Sequence, residues 1–539
     1  MLALLPTCDT ETTMDYEFDR NNRSMVATPS TYVDYRVSVA FVGTVVKYLG
    51  VTPLFPLVLS LYYGEDPLPF IAASVAMVAG GALLERVHSD GELGNREAFL
   101  LVSLAWLVVP LVGTVPYLVA GTGTVANPVN ALFESMSGFT TTGATVLGSI
   151  SVDTHGHAMM MWRQLTQWLG GMGILVLMVA ILPELAVGGA QIMNQEAPGI
   201  SLEKLTPRIQ ETARALWKIY VGFTALAAAV FFGLNVVGVA ENMDLYNAVA
   251  HAMTTMPTGG FSPEARSIEA FVPAIQWVIM PFMVIAGTNF ALFWYVFKGD
   301  YEKLTQNTEF RAYLLAMLGF GAVLSAILYL GPGLAELPGG VGTIVGDVEN
   351  SLRQGLFQVI SIVTTTGYAS MDVNNWDASA QTILLFAYFL GGSAGSAAGS
   401  IKIVRWVLVK RAVSRSFFTS VHPDAIKPVR MGKKAVDSNT LRDVFVFVLL
   451  FLLLFAVSTV LLYLDSFRVA EISMTGHEAM SVAIATLGNI GPGFGVVGPM
   501  DSFLPFTDAS KLYMVFLMWI GRLEVLSVLI ILTPTFWRG

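Results

Sequence analysis

Apolar runs long enough to cross a bilayer alternate along this chain with shorter ones that are not, and polar residues mark the joints. A membrane-spanning helix needs about 20 predominantly apolar residues. Residues 1–35 are polar and aperiodic and read as a cytoplasmic tail. Runs 37–62 and 67–84 then predict an N-terminal hairpin of two spans, within a segment 36–90. Four units follow, each predicted as a span, a half-helix too short to cross, a Gly/Thr-rich loop and a second span. Spans 98–120 and 159–182 flank half-helix 130–139 in the first unit, 91–190. In the second, 205–300, spans 213–239 and 275–297 flank 246–255. In the third, 308–415, spans 313–330 and 382–409 flank 351–363. A basic cytoplasmic linker over 416–440 leads to the fourth unit, 441–539, where 444–464 and 513–532 flank 477–486. The expected fold class is an all-α polytopic membrane protein: four pseudo-symmetric helix–pore-helix–filter–helix units around one central pore, plus the hairpin.

The loops carry the chemistry. They cover 137–145, 255–262, 364–369 and 487–493, roughly 110 to 125 residues apart, an internal repetition that transport folds show. Irregular backbone at membrane depth is tolerated only where protein buries it or it lines water, so all four belong on a common pathway. Glycine supplies the positive φ that turns carbonyls inward. A ring of backbone carbonyls is the known replacement for the hydration shell of K⁺. Half-helices entering from outside aim about half a negative charge each at the membrane centre. Neutral oxygens suit an alkali ion, and no carboxylate ring favours a divalent one. A single loop of this kind reads equally well as a turn between packed helices; four at matched positions do not. The candidate K⁺-contacting residues are Thr141, Thr142 and Gly143, Thr258, Gly259 and Gly260, Thr366, Gly367 and Tyr368, and Asn489, Ile490 and Gly491.

Composition agrees: 54% of residues are hydrophobic and 13% charged, with a mean hydropathy of +0.63. The one cysteine, Cys8, rules out a disulfide framework. Basic residues set the orientation. With the tail cytoplasmic, one side collects Arg86, Arg96, Lys204, Arg208, Arg214, Lys298, Lys303, Arg311 and the dense segment 402–442, and the other little more than Arg266, Arg353, Arg468 and Lys511. All four loops then enter from outside. The net charge of −9 fits either a high-salt habitat or ordinary loop variation.

Two stretches suggest control of flow. Residues 391–400 put a run of small residues inside the third unit's second span, where each glycine costs about 1 kcal/mol against alanine. A small-residue packing face is one reading. A mobile loop across the pore is preferred, because the other units carry only Gly170-Gly171, Gly287 and Gly521 at the matching place. The candidate gating residues are Gly391, Gly392, Ser393, Gly395, Ser396, Gly399 and Ser400. Arg522 joins them, because an intramembrane arginine is costly and functional by default. Facing the pore it would raise the barrier to cations; pairing with Glu524 is disfavoured because the two do not share a helical face. Arg163 reads as an interfacial anchor.

At these stretches, with 162–173 and 521–524, the chain resembles the Trk/Ktr/HKT superfamily of potassium transporters, specifically its TrkH/TrkG branch, from about residue 37 to the C-terminus. The resemblance implies that Gly143, Gly259, Gly367 and Gly491 are the four filter glycines, and that glycine in the first filter goes with K⁺ over Na⁺ selectivity. It implies that 391–400 is the intramembrane gating loop and Arg522 the pore arginine. It also implies a homodimer gated by a cytoplasmic nucleotide-binding ring, TrkA in this branch. The chain itself has no Walker motif and no cofactor is expected in it. The basic segment 402–442 would suit such a ring or anionic lipid. Ser393 and Ala397-Ala398 make the gating run less glycine-rich than the family's. The expected function is K⁺ uptake across a prokaryotic cell membrane, with no enzymatic cluster and no nucleic-acid partner. An alternating-access cation symporter, coupled to H⁺ or Na⁺ at the same site, is the alternative; it would want intramembrane carboxylates, which the long spans almost lack.

Overall fold

A computed structural model describes residues 17–18, 25–26, 33–87, 94–180, 209–331, 344–432, 434–468 and 473–537. The expected tail, and Lys204 and Arg208, lie almost wholly outside these. Among the described residues six helices are long and apolar enough to cross a membrane, or seven if one bent pair counts as a span.

The N-terminal hairpin packs Tyr35–Leu49 against Leu68–Glu85. Gly43 and Gly81 meet at the crossing, where a Cβ on either would strike the other's backbone carbonyl; small residues let membrane helices approach this closely. The run 37–62 is not one helix. It breaks before Leu54–Tyr63, at Pro53, which has no N–H to continue the ladder.

Four half-helices form the centre: Pro128–Phe139, Leu245–Thr255, Val348–Val363 and Gly476–Leu487. Each starts on a side-chain cap that takes up amides left free by the first turn. Asn127 accepts from the Val129 and Asn130 amides, Asp244 from Asn247, Asp347 from Asn350, and Thr475 from Glu478 in a capping box. The long helices Asn95–Val112, Ile209–Val236, Thr308–Leu330 and Ser438–Ser466 flank them. Their outward faces stay apolar, as at Leu449, Leu453 and Val460, as lipid requires.

The second spans depart from expectation. Only His157–Ala180 is continuous. The run 275–297 is Pro273–Ala286 and Phe290–Phe297, bent by 98°. Asn289 caps the new helix by accepting from the Ala291 amide, and the freed Gly287 carbonyl accepts from the Ser393 amide at 2.8 Å. The run 513–532 is likewise split into Asp508–Arg522 and Val525–Ile531 by Glu524, at φ 56°. In the third unit Ala378–Ala387 gives way to a non-helical run of turns and bends before Ile403–Val421, which continues into the expected 416–440 linker. That linker also holds a small antiparallel hairpin, Arg430–Met431 with Lys434–Ala435.

Candidate functional site

Each half-helix ends in the same backbone pattern. The amides of Thr141, Thr258, Thr365 and Asn489 bond the carbonyl three residues back, at 2.9, 3.0, 2.9 and 3.3 Å. The next amides, of Thr142, Gly259, Thr366 and Ile490, bond the carbonyl five residues back, at 2.9, 2.9, 2.8 and 2.9 Å. Thr141, Thr258, Thr365 and Asn489 all take left-handed φ, of 52°, 57°, 56° and 52°. Two residues later Gly143, Gly260, Gly367 and Gly491 do so again, at 83°, 78°, 77° and 105°. Three β-branched threonines in this region are strained by about 1–2 kcal/mol each, and such strain gathers at functional sites.

The loops meet. A Cβ on Gly143 would strike the Gly259 carbonyl, one on Gly260 the Thr366 carbonyl, one on Gly367 the Ile490 carbonyl, and one on Gly491 the Thr142 carbonyl. The contacts close a cycle through all four loops in chain order. All four glycines line one small funnel of about 50 Å³, with Glu264 and Asp501 on its wall. The threonine hydroxyls are tied to one another: Thr140 to Thr142 and Thr364 to Thr366, each at 2.7 Å.

This pattern shifts two expectations by a residue. The glycine equivalent to Gly143 is Gly260; Gly259 stands where Thr142, Thr366 and Ile490 stand, and its carbonyl accepts from Gln167 Nε2 at 2.6 Å. In the third loop Thr365 joins Thr366 and Gly367, whereas the Tyr368 side chain turns away. Its hydroxyl lies 2.5 Å from Thr254 Oγ1 and donates to the His251 carbonyl at 3.1 Å, behind the second half-helix.

The run 391–400 lies against the third and fourth loops. A parallel bridge between Gly391 and Lys402 closes it at its base. The Gly399 amide donates to Thr365 Oγ1 at 2.7 Å and the Ser400 amide to the Gly488 carbonyl at 3.0 Å. Gly392 accepts from the Ile403 amide, and the Gly395 carbonyl from the Phe290 amide, each at 3.2 Å. Ser396 Oγ donates to the Ser393 carbonyl at 2.6 Å, and Ser400 Oγ to that of Tyr388 at 2.7 Å. Arg522 Nη1 donates to the Ala397 carbonyl at 2.7 Å, and Lys402 Nζ to that of Ala398. Arg522 does not pair with Glu524, which instead binds Arg405 at 2.6 Å.

The family description TrkH, a cation transport protein, matches residues 69–537. The chain belongs to the TrkH family. It is a cation transport protein of the membrane and not an enzyme. It is 34% identical over 511 residues to the Trk system potassium uptake protein TrkH of Salmonella typhimurium, covering 94% of this chain and 99% of the relative. The Trk system potassium uptake protein TrkI of Halomonas elongata is 31% identical, over 91% and 94% of the two chains. The crystal structure of the potassium transporter TrkH from Vibrio parahaemolyticus aligns with a TM-score of 0.80 at 32% identity, covering 94% of this chain and all of that one.

Within this TrkH-family fold, Arg163 and Glu134 form a pair that the anchor reading of Arg163 does not include. Arg163 is no interfacial anchor: it is 1% exposed and its Nε binds Glu134, itself fully buried, at 2.8 Å. A charge buried this fully needs such a partner. Two lone opposite charges in otherwise apolar segments were the available signal.

Proposed function

We propose that this chain takes up K⁺ across the cytoplasmic membrane, through a filter lined by the carbonyls of the four glycine loops. The observation that carries the reading is the closed cycle of loops, in which each glycine lies against the next loop's carbonyl. Four such oxygens facing one axis replace the water of a monovalent cation, and four half-helix C-termini add their dipoles. The filter residues are Thr141, Thr142 and Gly143, Thr258, Gly259 and Gly260, Thr365, Thr366 and Gly367, and Asn489, Ile490 and Gly491. Relatives over nearly the whole chain carry the name potassium uptake protein.

In this reading the run 391–400 is the gate below the filter. Its amides satisfy Thr365 and Gly488, and Arg522 holds it from the other side. Arg522 also sets a positive charge beneath the site. The N-terminus is cytoplasmic, the molecule works as a homodimer, and a nucleotide-binding ring of the TrkA kind docks on the basic segment 402–442 to move the gate. The test is ⁸⁶Rb⁺ uptake into proteoliposomes, with K⁺ or Na⁺ as competitor and with or without a pH gradient. Uptake blocked by K⁺ far more than by Na⁺ supports the proposal. Equal competition contradicts the filter, and dependence on the pH gradient contradicts a channel-like path.

A further inference from the structure

The filter loops are braced from behind, and the braces differ. Counting back seven positions from the left-handed residues Thr141, Thr258, Thr365 and Asn489 gives Glu134, His251, Gln358 and Val482. In three units this side chain reaches a hydroxyl on the chain leaving the loop. Both Glu134 oxygens accept from Thr145 Oγ1 at 3.0 Å. His251 Nε2 lies 3.0 Å from Ser262 Oγ, and Gln358 Nε2 donates to Ser370 Oγ at 3.4 Å. In the fourth unit Val482 offers nothing polar, and the neighbouring Ser481 Oγ takes the Phe494 amide at 2.8 Å. Only the first brace carries charge.

That charge is shared between units. Glu134 also accepts from the Val146 amide at 2.9 Å and from Arg163 Nε at 2.8 Å. Arg163 Nη2 donates to Thr145 Oγ1 at 3.4 Å. Its Nη1 donates to the Ser262 carbonyl at 3.3 Å, and the guanidinium stacks 4.0 Å over the Phe261 ring. Ser262 and Phe261 follow directly on Gly260, the second loop's filter glycine. One planar guanidinium therefore links the outgoing chains of the first and second loops, and the cycle brings the Gly259 carbonyl against Gly143 at that seam. A lysine cannot reproduce such a fork, since its ammonium is a point donor.

We propose that Glu134 and Arg163 are positioning residues for ion selectivity: they fix the seam between the first two filter loops without touching the ion. This rests on the filter reading above. A slack seam lets two of the four carbonyl groups shift relative to the other two, which loosens the fit for the larger ion and admits the smaller. A purely structural pair would, when damaged, lower the amount of folded protein and the flux of both ions together; a positioning pair changes their ratio.

The experiment measures the Rb⁺/Na⁺ flux ratio per folded molecule in proteoliposomes for Arg163→Lys, Glu134→Gln and Thr145→Val, with Gly367→Ser as reference. Size-exclusion profile and melting temperature report folding. Loss of one partner of a buried ion pair leaves an uncompensated charge, so Glu134→Gln tests the pair most harshly; Thr145→Val keeps both charges and removes the bridging hydroxyl, which also accepts from the Leu147 amide at 3.1 Å. The expected result is a ratio lowered about fivefold, the factor of about 1 kcal/mol, in Arg163→Lys and Thr145→Val. If these fold and keep the wild-type ratio while Gly367→Ser loses it, the positioning role is overturned and the filter stands. If none of the variants, Gly367→Ser included, changes the ratio, the filter reading falls and the proposal with it.

Discussion

Gly367 combines two demands on one residue: a φ of 77° and the Ile490 carbonyl where a Cβ would sit. Any side chain there must push that carbonyl aside and hold a left-handed backbone at a cost of about 1–2 kcal/mol. Gly367→Ser is therefore expected to lower K⁺ over Na⁺ discrimination about tenfold, the factor of about 1.4 kcal/mol, read as Na⁺ competition against Rb⁺ uptake. At the funnel wall, partial burial and then the nearby Asp372 raise the pKa of Asp501 above the ordinary aspartate value, while Asn374 works the other way. Asp501 thus loses its charge on acidification at a higher pH than a free aspartate. Uptake from low K⁺ should begin to fall in that window, and Asp501→Asn should flatten the profile; identical profiles for both proteins would dismiss Asp501 as an attractor of cations. Glycine and threonine were visible in the sequence as loop formers, but their register was not. The adjacent Gly259 and Gly260, and the three threonines 364–366, each offer neighbouring choices, and only backbone handedness separates them.

At the scale of elements, the half-helices are legible as apolar runs too short to cross, and the caps Asn127, Asp244, Asp347 and Thr475 fix where each begins. The broken second spans do not. The break at Gly287 is stabilised by the Ser393 amide, donated from another unit, and no local propensity records a partner that distant. The same holds for Glu134 and Arg163, which sit on different helices and meet only once the loops have folded. The small-residue run was legible because glycine and serine in a span conflict with helix propensity. Among the bonds that hold it against the third and fourth loops are those of the Gly399 amide to Thr365 and of Arg522 to Ala397. Thr365→Val removes the acceptor of the Gly399 amide, and an unsatisfied buried amide costs about 1–3 kcal/mol. On the proposed reading of this run as a gate, Rb⁺ flux is expected to rise about fivefold as it loses that contact. Arg522→Ala removes both the Ala397 contact and the positive charge, so its flux should rise further; a clear fall in either variant would contradict the gate.

For the whole molecule, the long helices keep apolar faces outward while the half-helices are buried, so the polar backbone ends collect where lipid cannot reach. The four loops come from segments spread over most of the chain, yet each lies against the next in order, and the last against the first. The hairpin at the N-terminus and the linker that follows Ile403–Val421 stand outside that ring. In the proposed function the four loops hold one dehydrated monovalent cation between them. Diffraction from crystals grown in Rb⁺, with data collected at the rubidium absorption edge, tests this most directly. Anomalous peaks are expected on the axis enclosed by the Thr142, Gly259, Thr366 and Ile490 carbonyls, and should weaken when K⁺ is added in competition with Rb⁺ but persist when Na⁺ is added instead. An axis empty of rubidium, with peaks only in the outer funnel or elsewhere, would contradict it.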